Sequence, residues 1–263
     1  MKTRLMVLVF LYALCVLCGS NSAAEPPKQP KLTWFGQSFF VLETTAGTRV
    51  AFDPHAIDAF GRQTTKADLI LISHPHPDHT HVEVIENRAK AKVIEGIKIT
   101  GGAEGGPAPK AAWNPVDETF KDVRIRSVGV FHDTVQGMHR GKNMVFILEF
   151  DGLKLVHLGD LGHLLSGEQL RQIGPVDVLL IPIGGVFTIN GDQAKKVVAQ
   201  LKPTKYIVPM HYGTKLFDDV SGPEEFLEGQ SNVKKMLNMN ELPLDPSFKP
   251  TEPQIIMLGW KKD

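Results

Sequence analysis

The chain has 263 residues, a formal net charge of zero and only two cysteines. Balanced charge excludes the strongly basic footprint of a nucleic-acid-binding domain or an anionic-membrane binder, although a nucleic acid could still be a substrate at a locally basic site. Because Cys15 and Cys18 are both near the start of the chain, the remaining residues offer neither a disulfide nor a thiolate metal ligand.

The N-terminus predicts a secretory signal peptide over residues 1–24. Lys2 and Arg4 form its positive segment, a short apolar run follows, and Ser22 and Ala24 stand at the small-residue positions of a cleavage site. We expect cleavage after Ala24, export to the periplasm or the exterior, and no membrane attachment afterwards. A retained N-terminal anchor is the alternative. Loss of both basic residues leaves 27 basic against 29 acidic residues, a net charge of −2.

A polar, proline-rich leader is predicted over residues 25–31 and a single domain over residues 32–263. Apolar and alternating runs predict strands in two groups, one in each half of the domain. These runs cover residues 32–44, 48–54, 67–73, 91–96, 123–133, 143–150, 153–160, 176–182 and 205–210. The pattern indicates an α/β domain in which two mixed sheets pack face to face with helices outside.

Several local signals predict how these elements are connected. Asp151–Gly152 predicts a tight hairpin between two strands. Helices are predicted over residues 166–174 and 190–202, because Ser166 with Gln169, and Asn190 with Gln193, have capping-box spacing. A further short helix is expected after residue 79.

Two glycine-containing segments could border a functional site. Residues 100–110 have no lysine at the position that a phosphate-binding P-loop requires, so that function is excluded there. We expect a mobile surface loop, with a lid over the site as the alternative. Gly184 and Gly185 could allow close backbone approach to a site or could form a plain turn.

The segment "SHPHPDH", residues 73–79, is the most informative in the chain. It follows a buried-strand pattern and alternates His74, His76 and Asp78 with prolines, which stiffen the backbone and remove donors. His74 and His76 point the same way in extended backbone and can reach one metal ion, whereas Asp78 and His79 can reach a second. Imidazole and carboxylate ligands suit zinc, manganese or iron. The alternative is a solvent-exposed histidine-rich loop.

Three later strand patterns end in residues of the same chemistry. His132 ends one, Asp160 follows another in "HLGD", and His211 ends a third in "VPMH". A single histidine of this kind is more often structural, but four clusters at strand ends indicate a shared metal site.

The order H-x-H-x-D-H, then His, G-D and H-x-G-T resembles the metallo-β-lactamase-fold hydrolases over nearly the whole predicted domain. "HLGDLGH", "LLIPIGGVFTIN" and "VPMHYGT" are similar to the branch of ascorbate-phosphate-lactonase-like and N-acyl-phosphatidylethanolamine-phospholipase-D-like proteins. The resemblance implies an αββα sandwich with two divalent metal ions, zinc first and manganese or iron as alternatives. It implies that His74, His76 and His132 hold one ion, that Asp78, His79 and His211 hold the other, and that Asp160 bridges both.

Two metal ions would lower the pKa of a bridging water and supply a hydroxide that attacks a carbonyl or phosphoryl centre. Asp78 is predicted to orient that hydroxide. His163 is predicted to protonate the leaving group or bind a substrate oxygen, with a structural role as the equal alternative. Relatives often carry histidine where this chain has Gln37, so a substrate contact there is not inferred.

For the remaining histidines we expect structural or surface positions, or positions near the pocket, and no metal ligation. His157 is predicted to be a core or supporting residue and His81 a surface residue. His55 and His139 are expected near the pocket. Asp53 is predicted to orient a ligand histidine, because metal-bound imidazole usually donates its other N–H to an oxygen.

The favoured function is an exported metal-dependent hydrolase of a small molecule, either a phosphodiester or a lactone or other ester. One alternative is a metal-binding protein of the same fold without turnover, which the complete ligand set disfavours. Another is an iron-dependent redox member of the superfamily. An oligomer is left open.

Overall fold

The computed structural model describes residues 29–102 and 108–259. The predicted signal peptide, most of the leader, the centre of the glycine-containing 100–110 loop and the last four residues lie outside the described residues. In the described ranges, no helix is long and apolar enough to cross a membrane.

The described residues form strands and short helices in the following order. The strands are β1 (Lys31–Trp34), β2 (Phe40–Glu43), β3 (Arg49–Phe52), β4 (Leu69–Ile72), β5 (Lys92–Glu95), β6 (Ile97–Thr100), β7 (Lys110–Trp113), β8 (Asp117–Phe120), β9 (Val123–Phe131), β10 (Lys142–Phe150), β11 (Leu153–His157), β12 (Val178–Pro182), β13 (Tyr206–Met210), β14 (Val233–Met236), β15 (Glu241–Pro243) and β16 (Gln254–Leu258). The helices are α1 (Gly167–Ile173), α2 (Gly191–Leu201) and α3 (Glu224–Leu227).

The strands form two large mixed sheets, as predicted. The first has the order β15-β1-β2-β3-β4-β5, with β3, β4 and β5 parallel and the other pairs antiparallel. The second has the order β14-β16-β13-β12-β11-β10-β9-β8 and changes from parallel to antiparallel at the β11–β10 pair. Strands β6 and β7 form a separate hairpin.

Side-chain alternation places the first sheet between two apolar layers. Leu69 and Leu71 of β4 point into the main core, whereas Ile70 and Ile72 point into a smaller cluster on the other face. This period of two explains why the sequence shows a continuous apolar run, since both faces of the strand are buried. The smaller cluster is closed by Val84 and its neighbours in short 3-10 turns.

The two longer helices cover the second sheet. Ile173 of α1 and Val197 of α2 join the main core. Ser166 caps α1 and Asn190 caps α2, each in a reciprocal capping box with the residue three positions later, so both boxes are confirmed. Asp151 and Gly152 have positive φ angles in the turn joining β10 to β11, which confirms the hairpin.

Two sequence expectations about elements are wrong, and several strands were not predicted. Residues 32–44 are not one strand, because a turn at residues 35–39 separates antiparallel β1 and β2. The expected helix after the histidine cluster is a series of 3-10 turns at Pro77–His79, Val82–Val84 and Arg88–Lys90. The weakly patterned strands β14, β15 and β16 were not predicted, although β15 pairs with β1 and β16 with β13.

Strand directions bring distant residues to one edge of the sandwich. Strands β9 and β11 are both antiparallel to β10 and therefore run in the same direction, and β12 and β13 are parallel to β11. Their carboxyl ends consequently meet at one edge of the second sheet.

Candidate metal centre

The predicted ligands follow the ends of four strands. His74 lies two residues after β4, His132 directly after β9, Asp160 three residues after β11 and His211 directly after β13. These four side chains are at most 3% exposed. The structure therefore brings together residues separated by up to 137 positions, at the edge that the strand directions create.

All seven predicted ligands form two adjacent groups. His74, His76 and His132 make the first group, and Asp78, His79, Asp160 and His211 make the second, with one potential ligand atom from each residue within 4.8 Å of the others in its group. The histidines and Asp78 divide as the resemblance implies, and Asp160 lies in the second group.

Asp160 Oδ2 is the geometric centre of the cluster. It lies 3.2 Å from His132 Nε2 and from His211 Nε2, 3.3 Å from His79 Nε2 and 3.8 Å from His74 Nε2. Two ligand atoms on one tetrahedral zinc stand roughly 3.3–3.6 Å apart, given bonds of about 2.0–2.2 Å. One carboxylate oxygen thus has the spacing of a ligand common to histidines of both groups.

The carboxylates of the cluster are ionised, and its histidines have pKa shifts in opposite directions. Burial and then the charge of His79 lower the pKa of His74 well below its usual value. Burial opposes charge on Asp160, but the imidazoles of His211 and His79 outweigh it and hold its pKa well below normal. Burial opposes charge on His79 and His211, but the Asp160 carboxylate outweighs it and raises the pKa of both rings. Because only neutral imidazole and ionised carboxylate bind divalent metal ions, these two rings would release their protons when an ion binds.

Asp78 is the accessible acid of the centre. Its side chain is 40% exposed, and its Oδ2 lies 3.4 Å from His79 Nε2 and 3.8 Å from His211 Nε2. Burial raises its pKa, but the neighbouring His79 more than reverses this and lowers it to about 2. Asp78 is therefore an ionised carboxylate at neutral pH, facing the open side of the cluster.

The residues fit the metal ions that the sequence implies. His79 Nε2 is buried and has no hydrogen-bond partner among the described residues, yet it faces the carboxylates of Asp160 and Asp78. A buried polar atom normally has a partner. A metal ion bound between these groups would supply one and would balance the two carboxylates.

Asp53 supports the floor of the cluster from behind. Its carboxylate accepts hydrogen bonds from the backbone N–H of Ser73, at 2.6 Å, and from the Ser73 hydroxyl, at 2.7 Å. Its Oδ2 also lies 3.0 Å from His79 Nδ1, the ring nitrogen opposite the ligand atom. This geometry matches the predicted role of Asp53 as the acid that orients a ligand histidine.

Asn143 and Ser38 hold Asp160 in place. The Asn143 amide accepts from the Asp160 backbone N–H and donates to the Leu158 carbonyl, at 3.2 and 2.8 Å. The Ser38 hydroxyl donates to Asp160 Oδ1, at 3.4 Å, which leaves Oδ2 free to face the histidines.

Two glycines permit close backbone contact with the ligands. A Cβ atom on Gly162 would lie 2.2 Å from the His132 carbonyl carbon, and one on Gly184 would lie 2.3 Å from the His211 oxygen. Gly184 therefore has the close-approach role that was one of its two expected roles. His211 itself has a φ angle of 49°, an uncommon value for a non-glycine residue that is found at constrained sites.

A cavity of about 330 Å³ opens onto the cluster. Its floor includes ligands of both groups, and its walls come from two loops, residues 133–141 and 185–188. The lining residues are His76, Pro77, Asp78, His132, His139, Arg140, Asp160, Phe187 and His211. The expectation that His139 lies near the pocket is confirmed.

The structure places the other candidate histidines away from the cavity lining. His163 accepts from the Phe131 backbone N–H through Nε2, at 3.0 Å, and its Nδ1 pairs with the Leu164 carbonyl at 2.7 Å. With both ring nitrogens bound to backbone, the structural alternative is favoured for His163, and its catalytic role stays a prediction.

His55 and His157 are buried supports. His55 bonds the Gly36 carbonyl and the Ile57 backbone N–H, and burial lowers its pKa to about 4. It does not line the cavity, so its expected place at the pocket is wrong. His157 is fully buried and donates to the Ser38 carbonyl, as a core residue should.

Two further expectations have clear outcomes. His81 lies at the surface beside Glu83, as predicted. Gln37 is buried, and its backbone carbonyl accepts from the Trp34 indole at 2.9 Å, so this position supports the loop under the cluster.

Sequence reasoning missed Asn143, Arg140 and Phe187. Asn143 opens a predicted strand and Arg140 belongs to a polar turn, positions where such residues are common. Phe187 follows the Gly184–Gly185 turn in "GGVFTIN". A large apolar residue shortly after a glycine turn was the only sequence feature that could have drawn attention to Phe187, and it does not show which residue Phe187 contacts.

Comparisons with known proteins agree with this geometry. A family model described as a β-lactamase superfamily domain matches residues 31–211. A UPF0173 metal-dependent hydrolase of Thermococcus onnurineus is 34% identical over 206 residues, which cover 74% of this chain and 90% of that protein. The chain belongs to the UPF0173 metal-dependent hydrolases of the metallo-β-lactamase superfamily.

Other members of the UPF0173 hydrolases extend the match. A relative from an Anaeromyxobacter species is 30% identical over 85% of this chain and 93% of its own length. A crystal structure from Thermotoga maritima, of a protein described as a Zn-dependent hydrolase of the metallo-β-lactamase superfamily, has a TM-score of 0.65 and 31% identity. It covers 88% of this chain and 98% of that one. The superfamily resemblance is thereby confirmed, and the narrower branch stays a prediction.

Proposed function

We propose that this UPF0173 hydrolase is an exported enzyme that uses two divalent metal ions to cleave a phosphodiester or a lactone or other ester. The observation that carries the two-ion proposal is the position of Asp160 Oδ2, within 3.8 Å of four imidazole nitrogens that belong to two separate ligand groups. If only one ion were bound, no carboxylate oxygen would need to lie close to histidines of both ligand groups.

The ligand sets follow from the geometry. His74, His76 and His132 would hold one ion, and Asp78, His79 and His211 would hold the other, with Asp160 between them. Zinc is the first choice for imidazole and carboxylate ligands at these spacings, and manganese and iron are the alternatives. When bound, two such ions supply hydroxide near neutral pH and polarise a carbonyl or phosphoryl oxygen.

The protein's own residues divide the remaining tasks. Asp78 is ionised and faces the cavity, so it can accept a hydrogen bond from the attacking water and orient it. Asp53 fixes the ring of His79, and Asn143 and Ser38 fix Asp160. The buried floor therefore needs little rearrangement when a substrate enters, which favours catalysis by preorganisation.

The substrate class rests on the same geometry. A carbonyl or a phosphoryl centre can both reach a shallow, open cluster with an accessible carboxylate at its edge. The proposed export rests on the positive, apolar and small-residue segments of residues 1–24.

The first experiment compares a chromogenic phosphodiester with a simple lactone, using mature protein loaded with zinc or manganese. Metal content is measured in parallel. We expect about two equivalents of metal and turnover of one substrate class, both lost in Asp160→Ala. Diester turnover identifies phosphodiester chemistry, and lactone turnover identifies carboxylic-ester chemistry.

Asp192→Asn on the exposed surface of α2 is the matched control, since it removes an exposed carboxylate that belongs to neither ligand group. It should keep both metal and activity. One equivalent of metal in fully active protein would contradict the two-ion proposal. Iron-bound, coloured protein without hydrolysis would instead support the redox alternative.

A further inference from the structure

The cavity wall contains one cation whose donors are largely unused. Arg140 is partly buried and lines the cavity together with Asp78 and Asp160. One guanidinium nitrogen donates to the Val186 carbonyl at 2.9 Å, and the group lies 5.5 Å from the centre of the Phe187 ring. Within the described part of the chain, no carboxylate forms an ion pair with it, so most of its five N–H donors remain available.

The loop that carries Arg140 is held in a defined shape. The Asp133 carboxylate accepts four backbone N–H groups, from Val135 and Gly137 at 2.8 Å each, from His139 at 2.9 Å and from Arg140 at 2.8 Å. Such multiple hydrogen bonds to one ionised acceptor are strong. The position of Arg140 above the cluster is consequently built into the fold and is not the chance position of a free surface side chain.

The opposite loop is also constrained around the guanidinium. Val186, whose carbonyl accepts from Arg140, has a φ angle of 55°, which is a genuine outlier for a β-branched residue. The neighbouring Phe187 ring is 43% exposed and faces the cavity. Strain of this kind persists where the surrounding structure requires it, and here it places a carbonyl and a ring against one arginine.

We propose that Arg140 binds an anionic oxygen group of the substrate, a phosphate or a carboxylate, and that Phe187 packs against the apolar part next to it. This inference rests on the proposed hydrolase function and narrows its substrate to an amphiphilic anion. A planar guanidinium suits either oxyanion because it can donate two parallel hydrogen bonds. A hydrogen-bonding group of this kind discriminates strongly against substrates that lack the matching oxygens, because its own donors are then left unpaired in the cavity.

The charge of the cavity agrees with this assignment. Asp78 and Asp160 contribute two negative charges, whereas the two proposed divalent ions together with Arg140 would contribute five positive ones. A neutral substrate would leave that excess uncompensated, and an anion would reduce it. A neutral ester can accept a hydrogen bond from Arg140 at its carbonyl oxygen but has no charged group to pair with the guanidinium.

The test measures binding and turnover separately. Binding of phenylphosphonate and of benzoate, neither of which is hydrolysed, is measured by calorimetry on metal-loaded and on chelated protein. Arg140→Gln should weaken the tighter of the two by about 10- to 100-fold, the usual worth of hydrogen bonds to a charged group. Arg140→Lys keeps the positive charge but loses the planar guanidinium. Its affinity for the same probe should lie between those of the wild-type and Arg140→Gln proteins. Tighter binding of phenylphosphonate would identify phosphate as the preferred anionic group, and tighter binding of benzoate would identify carboxylate.

Arg88→Gln is the matched control, because Arg88 is exposed and lies outside the cavity lining. It should leave affinity within about 2-fold of the wild-type value, the range of surface substitutions. Equal affinity of wild-type and Arg140→Gln protein for both probes would overturn the inference, as would the absence of binding to loaded wild-type protein.

Turnover separates this inference from the proposed function. Neutral p-nitrophenyl acetate is compared with anionic mono-p-nitrophenyl glutarate, which has the same leaving group. Arg140→Gln should raise KM for the anionic ester alone. Equal hydrolysis of both esters by both proteins would overturn the inference and leave the hydrolase standing. Arg140-dependent phosphonate binding without hydrolysis of either ester or of a phosphodiester would support the inference and count against the proposed reaction.

Discussion

The floor and the wall of the cavity differ in burial and in how they are built. The floor, here taken as the buried ligands in and beneath the cavity lining, comprises His74, His79, His132, Asp160 and His211, all at most 2% exposed. Four of them follow strand ends, and His79 lies in a 3-10 turn. The wall consists of residues 133–141 and 185–188, where Met138 is 78% and Val186 58% exposed. The floor rests on two sheets, whereas the wall rests on a few hydrogen bonds within and between loops.

This difference suggests a division of labour. A metal cluster needs fixed ligand positions, and strand ends supported by Asp53 and Asn143 supply them. Substrate choice depends on groups that can vary without disturbing the cluster, and loops allow that variation. Substitutions in the floor should therefore change metal binding, and substitutions in the wall should change substrate preference alone.

The largest effect is expected for Asp160→Ala. Removing the oxygen shared by both ligand groups should lower activity by at least about 10³-fold, several kcal/mol of transition-state stabilisation, and should reduce bound metal. Metal analysis and hydrolysis rates measure this. A variant that keeps two equivalents of metal would show that Asp160 does not connect the two groups.

Gly162→Ala tests how tightly the floor is packed. The added methyl group would overlap the backbone of His132. We therefore expect the free energy of unfolding to fall by about 1–3 kcal/mol, as for other overpacked positions. Urea denaturation measures the change. Gly167→Ala is the matched control, since its methyl group meets open space at the start of α1. Equal stability of the two variants would mean that the floor yields more easily than its geometry indicates.

Asp53→Asn tests support from behind the floor. Loss of the charge next to His79 Nδ1 should weaken metal affinity by about 10- to 100-fold, the usual effect of removing such a partner. Competition with a metal-binding dye measures the affinity. Ser73→Ala removes one hydrogen bond to Asp53 and the 2.9 Å contact of the Ser73 hydroxyl with His74 Nδ1, but it leaves the Asp53 charge, so it should have a smaller effect. A larger effect in Ser73→Ala would assign the support to the serine instead.

The smallest effect is expected for Asp133→Asn, which loosens the wall. The amide can accept at one atom only, so two of the four backbone N–H groups lose their acceptor. We expect phenylphosphonate affinity to fall about 3- to 10-fold, because each hydrogen bond contributes roughly 1 kcal/mol. Metal content should not change. A parallel loss of metal would show that wall and floor are coupled through the adjacent His132.

Much of the site could be predicted from local signals. His74, His76, Asp78 and His79 lie within six residues behind an apolar run, and prolines between them are incompatible with continued regular structure. The capping residues Ser166 and Asn190 acted through backbone groups three positions away, so their helices were also predictable.

The elements that could not be predicted depend on distant partners. The turn at residues 35–39 lies inside an apolar run, because the turn itself is buried and its Phe35 and Phe39 join the smaller cluster on the outer face of the first sheet. Strand β15 has only three residues and pairs with β1, more than 200 positions earlier. A short strand of this kind is stabilised by its neighbour, and its own residues show no pattern.

By itself, the sequence determined the ligand types, their order and the strand ends that carry them, since those depend on side-chain chemistry and local periodicity. Only the tertiary structure decided which residues surround that cluster. Arg140 reaches the cavity because the β9–β10 connection folds around Asp133, and Asn143 reaches Asp160 because β10 lies beside β11. Such contacts join residues whose own neighbours in sequence are unremarkable, so no local pattern predicts them.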